Sequence, residues 1–154
     1  METKQIIGWK EWISLPELEI PAIKAKVDTG ARTSALHTYK LERVSKDIVK
    51  FHIHPIQKRT DISVACETKI TDVRVVKDSG GHEEERIFIS TPILLNNKKW
   101  DIELSLTNRE NMLFRMLLGR NAIVSGSLTV DPDQKYTAGK NDSKYYDQNL
   151  EKVT

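Results

Sequence analysis

The sequence lacks several things, and each absence excludes something. It has one cysteine, Cys66, so no intrachain disulfide can form. That fits a reducing, cytoplasmic setting. It has no excess of charge of one sign: 24 Lys and Arg against 22 Asp and Glu leave a net of +2. Nucleic acid and anionic membranes both call for a concentrated basic face, so the balance argues against either as partner. No run approaches the roughly 20 apolar residues needed to cross a bilayer. The start of the chain, Met1-Glu2-Thr3-Lys4-Gln5, has no apolar stretch of the kind that directs secretion. There is no internal repeat and no low-complexity block. There is no Gly-x-x-x-x-Gly-Lys-Ser/Thr loop to cradle phosphates, since Gly80-Gly81 has neither the lysine nor a helix after it. A helical His-Glu-x-x-His zinc motif is also missing.

What is present is a chain of 154 residues, 38% hydrophobic and 30% charged, the size of one well-solvated domain with a modest core. Its main signal is alternation with period two, the mark of half-buried strands. Ile23, Ala25 and Val27 alternate with Lys24, Lys26 and Asp28. Val49, Phe51 and Ile53 alternate with Lys50 and His52, and Trp100, Ile102, Leu104 and Leu106 with Asp101, Glu103 and Ser105. Asp78-Ser79-Gly80-Gly81 reads as a turn between strands at Val73–Lys77 and Arg86–Ser90. Asn96-Asn97 reads as a hairpin tip, and Gly119–Ile123 has room for one short helix. From Pro132 onward the chain turns polar. The pattern predicts an all-β barrel or sandwich over residues 1–134 and a polar tail over 135–154.

The chemistry concentrates at the end of the Ile23–Val27 strand. Asp28 supplies a carboxylate where the chain leaves the core. Thr29 adds a hydroxyl, and Gly30 permits a close approach that a Cβ would block. By itself Asp-Thr-Gly is also an ordinary surface turn. A second element, Met116-Leu117-Leu118-Gly119-Arg120, is an apolar pair followed by glycine that can pack beneath such a turn. Between the two lies the Asp78–Arg86 hairpin.

Three segments resemble the RimB family, also called ATP-dependent zinc proteases, or retropepsin-like peptidases associated with RimK-type ATP-grasp ligases. They are Ile7-Gly8-Trp9-Lys10-Glu11-Trp12, the run from Lys24 through Val27-Asp28-Thr29-Gly30-Ala31-Arg32 to His37, and the run from Arg109 to Arg120. The resemblance covers about residues 6 to 134. It implies an all-β, retropepsin-like closed barrel with a flap hairpin and one short helix. It implies a homodimer in which two copies of Asp28 share a proton and activate water, with Asp28, Thr29 and Gly30 as the catalytic turn. No cofactor and no metal are needed for that chemistry. It also implies an acidic substrate, a glutamate-rich peptide or protein tail, and a functional link to a RimK-type ligase. Ala31, Arg32, His37, Arg86, Arg109 and Arg115 are the expected substrate-binding residues, because arginine grips a carboxylate with two parallel hydrogen bonds. Two other readings stand beside this one. One is a zinc-dependent peptidase on the same fold, for which His37, or His52 and His54 two apart on a strand, are the available ligands. The other is a non-catalytic barrel that binds acidic peptides or a ligase partner.

Overall fold

The alternating runs form strands because each buries one set of side chains and exposes the other. The computed structural model describes residues 4–77, 80–109, 111–139 and 146. In chain order the strands are β1 (Gln5–Ile7), β2 (Lys10–Leu15), β3 (Ile20–Asp28), β4 (Ser34–Arg43), β5 (Ile48–Ile53), β6 (Val64–Lys69), β7 (Asp72–Lys77), β8 (Glu83–Leu95), β9 (Lys98–Asn108), β10 (Met116–Gly119) and β11 (Leu128–Val130). The helix α1 (Arg120–Ser125) follows β10 directly. Val49, Phe51 and Ile53 are fully buried, as are Ile23 and Ala25, so the period-two reading of β3 and β5 holds. Each large aliphatic or aromatic side chain buried this way contributes roughly 1.5–3 kcal/mol.

Six strands close a barrel. The neighbours run β3–β2–β8–β9–β4–β10, and β10 pairs with β3 to complete the ring. Closure removes the free edges that an open sheet exposes. The short β10 lies between β3 and β4, parallel to the first and antiparallel to the second. The loop joining β3 to β4 must therefore pass over the end of β10. Outside the ring, β7 forms a hairpin with β8, and β5 and β6 extend from the far half of β4. No helix among the described residues is long and apolar enough to cross a membrane.

Three local expectations need comment. Asn96 and Asn97 form the predicted β8–β9 tip, both with positive φ (48° and 66°), a conformation asparagine tolerates better than most residues. The expected strand at Arg86–Ser90 is longer, a single 13-residue strand that begins at Glu83 and continues to Leu95. Pro92 sits within it without a break, because its fixed φ suits extended backbone and β8 pairs with β2 only around Leu94. Of the predicted flap turn, Asp78 and Ser79 lie outside the described residues.

The polar stretch expected as a tail from residue 135 is packed on the barrel as far as residue 139. Trp9 donates its N–H to Gln134 O (2.9 Å), and Tyr136 donates to Lys10 O (3.0 Å). The fit is close enough that a Cβ on Gly8 would lie 2.2 Å from Gln134 O. Glu11, fully buried, accepts hydrogen bonds from the N–H groups of Gly8, Thr137 and Ala138 and from the Thr137 hydroxyl. Further on, the Tyr146 hydroxyl bonds to the backbone N–H and C=O of Ala22. The rest of the predicted tail, 140–145 and 147–154, lies outside the described residues.

Candidate active site

Asp28 is the last residue of β3, and its register partner on β10 is Gly119. Its Oδ1 accepts hydrogen bonds from Gly30 N (3.0 Å) and Ala31 N (3.2 Å), so the turn that follows holds the carboxylate in place. A Cβ on Gly30 would lie 3.3 Å from that oxygen, which is why glycine suits the position. Thr29 is exposed, and its hydroxyl bonds to no other described residue.

The second motif locks this turn from below. Gly119 N donates to Ser34 Oγ (2.9 Å), Arg120 N to Ala31 O (2.7 Å) and Asn121 N to Arg32 O (3.0 Å). Gly119 cannot carry a side chain there, since a Cβ would sit 2.6–2.8 Å from the backbone of Thr33 and Ser34. The Asp28 turn is thus clamped between its own strand and the start of α1. Ser34, buried at the centre of the clamp, stands within the Lys24–His37 run, but the sequence alone gives it no role.

Beside the turn lies a cavity of about 330 Å³, lined by Ala31, Thr33, Ala35, His37, Arg86, Phe88, Ser105, Thr107, Arg109 and Leu117. Four of the expected substrate-binding residues, Ala31, His37, Arg86 and Arg109, therefore line one space. The register explains how. Leu36 and Ile87 both pair with Leu106, and His37 pairs with Thr107, so β4, β9 and β8 bring His37, Thr107 and Arg86 to one level. Arg32 is exposed on the turn itself and does not line the cavity. Arg115 lies elsewhere too: its guanidinium donates to His54 O (3.2 Å) and to Met112 O.

His37 is 5% exposed. Its Nδ1 is 2.6 Å from Thr107 Oγ1, and its Nε2 is buried without a hydrogen-bond partner. Burial holds its pKa below the usual value, and the positive charges of Arg109, Arg115 and Arg86 lower it further. The ring is neutral at pH 7. Arg86 Nε and Ser105 Oγ are likewise buried and unpartnered. Three orphaned polar atoms around one small cavity call for a polar occupant. Ser105 and Thr107 were missed as lining residues because they stand on the outward set of β9. The signal was a change within that set, from the charged Asp101 and Glu103 to small hydroxyls at 105 and 107.

Zinc does not suit these residues. His37 already spends Nδ1 on Thr107, and the positive charges of Arg109, Arg115 and Arg86 act on it, which repels a cation. His52 and His54 pack on the ring of Tyr39, and His54 Nδ1 donates to Ile62 O. Among the described residues no three His, Cys, Asp or Glu side chains converge as a metal site. Cys66 is buried, and desolvation pushes its thiol up to about 12, so it is no nucleophile. A larger cavity of about 800 Å³ lies between Ser14–Pro21 and Asp61–Ala65, but it touches neither the Asp28 turn nor any expected site residue.

The sequence matches, over residues 6–141, the family described as RimB-like, retropepsin-like aspartic endopeptidase RimB. A protein of Desulfotalea psychrophila named "Probable alpha-L-glutamate ligase" is 46% identical over 140 residues, covering 89% of this chain and 30% of that protein. A Shewanella pealeana protein of the same name is 44% identical over 142 residues, covering 90% and 31%. The chain thus spans about a third of the length of the curated relatives it matches. Among solved structures, the Legionella pneumophila protein Lpg0085, of unknown function, superposes with a TM-score of 0.72 at 27% identity, covering 88% of this chain and 99% of that one.

Proposed function

The chain belongs to the RimB-like family of retropepsin-like proteins, and from that membership we propose that it is an aspartic peptidase acting as a homodimer on glutamate-rich peptides or protein tails. The observation that carries the proposal is the clamped Asp28 carboxylate, fixed by two backbone N–H groups beside a cavity rich in cationic donors. A retropepsin-like site needs two such carboxylates, and this constellation holds one. A second copy of Asp28 supplies the other. Two carboxylates brought together share one proton, and their titration belongs to the pair. The ionised member takes a proton from water as the water oxygen attacks the scissile carbonyl carbon. The protonated member donates to the carbonyl oxygen. The tetrahedral diol then collapses, the C–N bond breaks, and the leaving nitrogen takes a proton back from the dyad. Thr29 and Gly30 shape the turn.

Arg86, Arg109 and His37 favour an acidic substrate, because a carboxylate answers several converging donors at once. Arg32 on the turn and Arg115 at the entry to β10 add positive potential around it. The ligase names of longer relatives fit a setting in which one activity adds glutamates and this domain removes them. The single buried thiol fits a reducing cytoplasm.

Asp28→Asn tests the reading. Wild-type chain should hydrolyse a peptide ending in several glutamates, and Asp28→Asn should lose hydrolysis by at least about a thousandfold, with an unchanged circular dichroism spectrum. The same relatives favour a second reading, in which the barrel only holds an acidic chain for a ligase. Binding of the glutamate peptide by wild type with no hydrolysis at any protein concentration would establish that reading instead.

A further inference from the structure

His37 and Thr107 form a pair that the peptidase chemistry does not require. The side chains are cross-strand neighbours on β4 and β9, 2.6 Å apart, and both are buried. A threonine hydroxyl can donate or accept, so the distance alone allows two tautomers. In one, Thr107 donates to Nδ1 and the ring hydrogen sits on Nε2. In the other, Nδ1–H donates to Thr107 and Nε2 is a bare acceptor.

The cavity decides between them. Arg86 and Arg109, which line it, can only donate, and Arg86 Nε is buried with its hydrogen unspent. An occupant of this space must therefore accept. His37 Nε2, buried and unpartnered, can join in holding such an occupant only if it carries a hydrogen. We propose that Thr107 is a positioning residue: its hydroxyl donates to Nδ1, placing the hydrogen of neutral His37 on Nε2, so that the cavity distinguishes a carboxylate from an amide in the substrate. The inference rests on the proposed acidic substrate and names the groups that read it. A glutamine side chain offers one acceptor and two donors, and its NH₂ would meet N–H groups. A glutamate side chain offers acceptors alone.

The charged groups around the ring all act in one direction. The positive charges of Arg86 on β8, Arg109 just after β9 and Arg115 before β10 all oppose protonation of the ring, which favours the neutral imidazole. Glu84 is an internal competitor, lying 3.7 Å from the Arg86 guanidinium, but it is exposed and readily displaced.

Two measurements test the proposal. In the first, nitrogen chemical shifts of His37 in the wild-type chain at pH 7.5 report the tautomer directly. Hydrogen on Nε2 is expected, and hydrogen on Nδ1 would overturn the inference. In the second, the dissociation constants of tetraglutamate and tetraglutamine peptides are measured on the Asp28→Asn chain, with and without a second change at Thr107. Thr107→Val should lower the preference for glutamate about tenfold, roughly 1.4 kcal/mol, and Thr107→Ser should restore it. An unchanged preference in Thr107→Val, or failure of the parent to prefer glutamate, would also overturn it. Because the binding assay uses a chain that cannot hydrolyse, it separates the two ideas. Wild type that cuts acidic peptides while Thr107→Val keeps the full preference leaves the peptidase reading standing and removes this one. Selective binding with no hydrolysis by wild type does the reverse.

Discussion

His37 illustrates how a single residue ties the stability of the fold to the character of the site. Its pKa in the folded chain is below 6.5, through desolvation first and then three arginines. The unfolded chain therefore binds more protons than the folded one as pH falls through the window just below 6.5. Stability from this residue is complete above that window and is lost as the pH drops through it, at no more than about 1.4 kcal/mol per pH unit. Melting temperatures measured from pH 7.5 to 4.5 should fall less steeply in His37→Gln than in wild type. Parallel curves would mean that His37 is not held neutral by its surroundings. Asp28, His37 and Arg109 drew attention in the sequence as charged or titratable residues inside the family-like runs, and Arg86 as an arginine on the expected flap hairpin. Ser34, inside the same run as Asp28, and Ser105 and Thr107, outside any motif, did not. A hydroxyl on a strand carries no mark of whether its face turns toward solvent or toward a cavity, and only the register with neighbouring strands decides.

At the scale of elements, β3, β5 and β9 were legible because one face of each is buried and the other is charged. Where that contrast fails, the reading failed too. β8 was read short, as Arg86–Ser90, because its middle alternates weakly, and the 135–139 segment was expected to be part of a tail because the chain there has almost no aliphatic residues. Its attachment depends on polar groups: the buried carboxylate of Glu11 holds Thr137 and Ala138 from one side and Gly8 from the other. Glu11→Ala removes the acceptor and leaves three backbone donors unsatisfied. The loss should be at least about 3 kcal/mol, since hydrogen bonds to a charged group contribute roughly 1.5–3 kcal/mol each. Urea unfolding measures that loss. Limited proteolysis should then cut first between Asp131 and Gly139, while the Asp28 clamp, built on different strands, keeps its protection. Equal protection of both regions in the variant would show that Glu11 does not fasten this segment.

At the scale of the whole molecule, the barrel is closed but its proposed chemistry is half complete. One Asp28, however well clamped, cannot be both the ionised base and the protonated acid of an aspartic dyad. Near the turn the chain also exposes apolar side chains. Trp9, 37% exposed, stacks edge-on against Phe114, and Met112 and Leu113 precede it at 38% and 58%. Val27, next to Asp28, donates its N–H to Trp9 O, which ties this patch to β3. A dimer that brings two copies of Asp28 together has its apolar contact within reach there. Mixing subunits tests the assembly without assuming its geometry. If wild type is equilibrated with a threefold excess of Asp28→Asn chain, random pairing leaves about one sixteenth of all dimers, or one quarter of the wild-type subunits, in fully wild-type pairs. Activity per wild-type chain should fall to about one quarter, and specific activity of wild type alone should decline on dilution through the dimer dissociation constant. Activity per wild-type chain that stays constant under both treatments would mean that one Asp28 suffices, and the shared-proton mechanism would have to be abandoned for one that works within a single barrel.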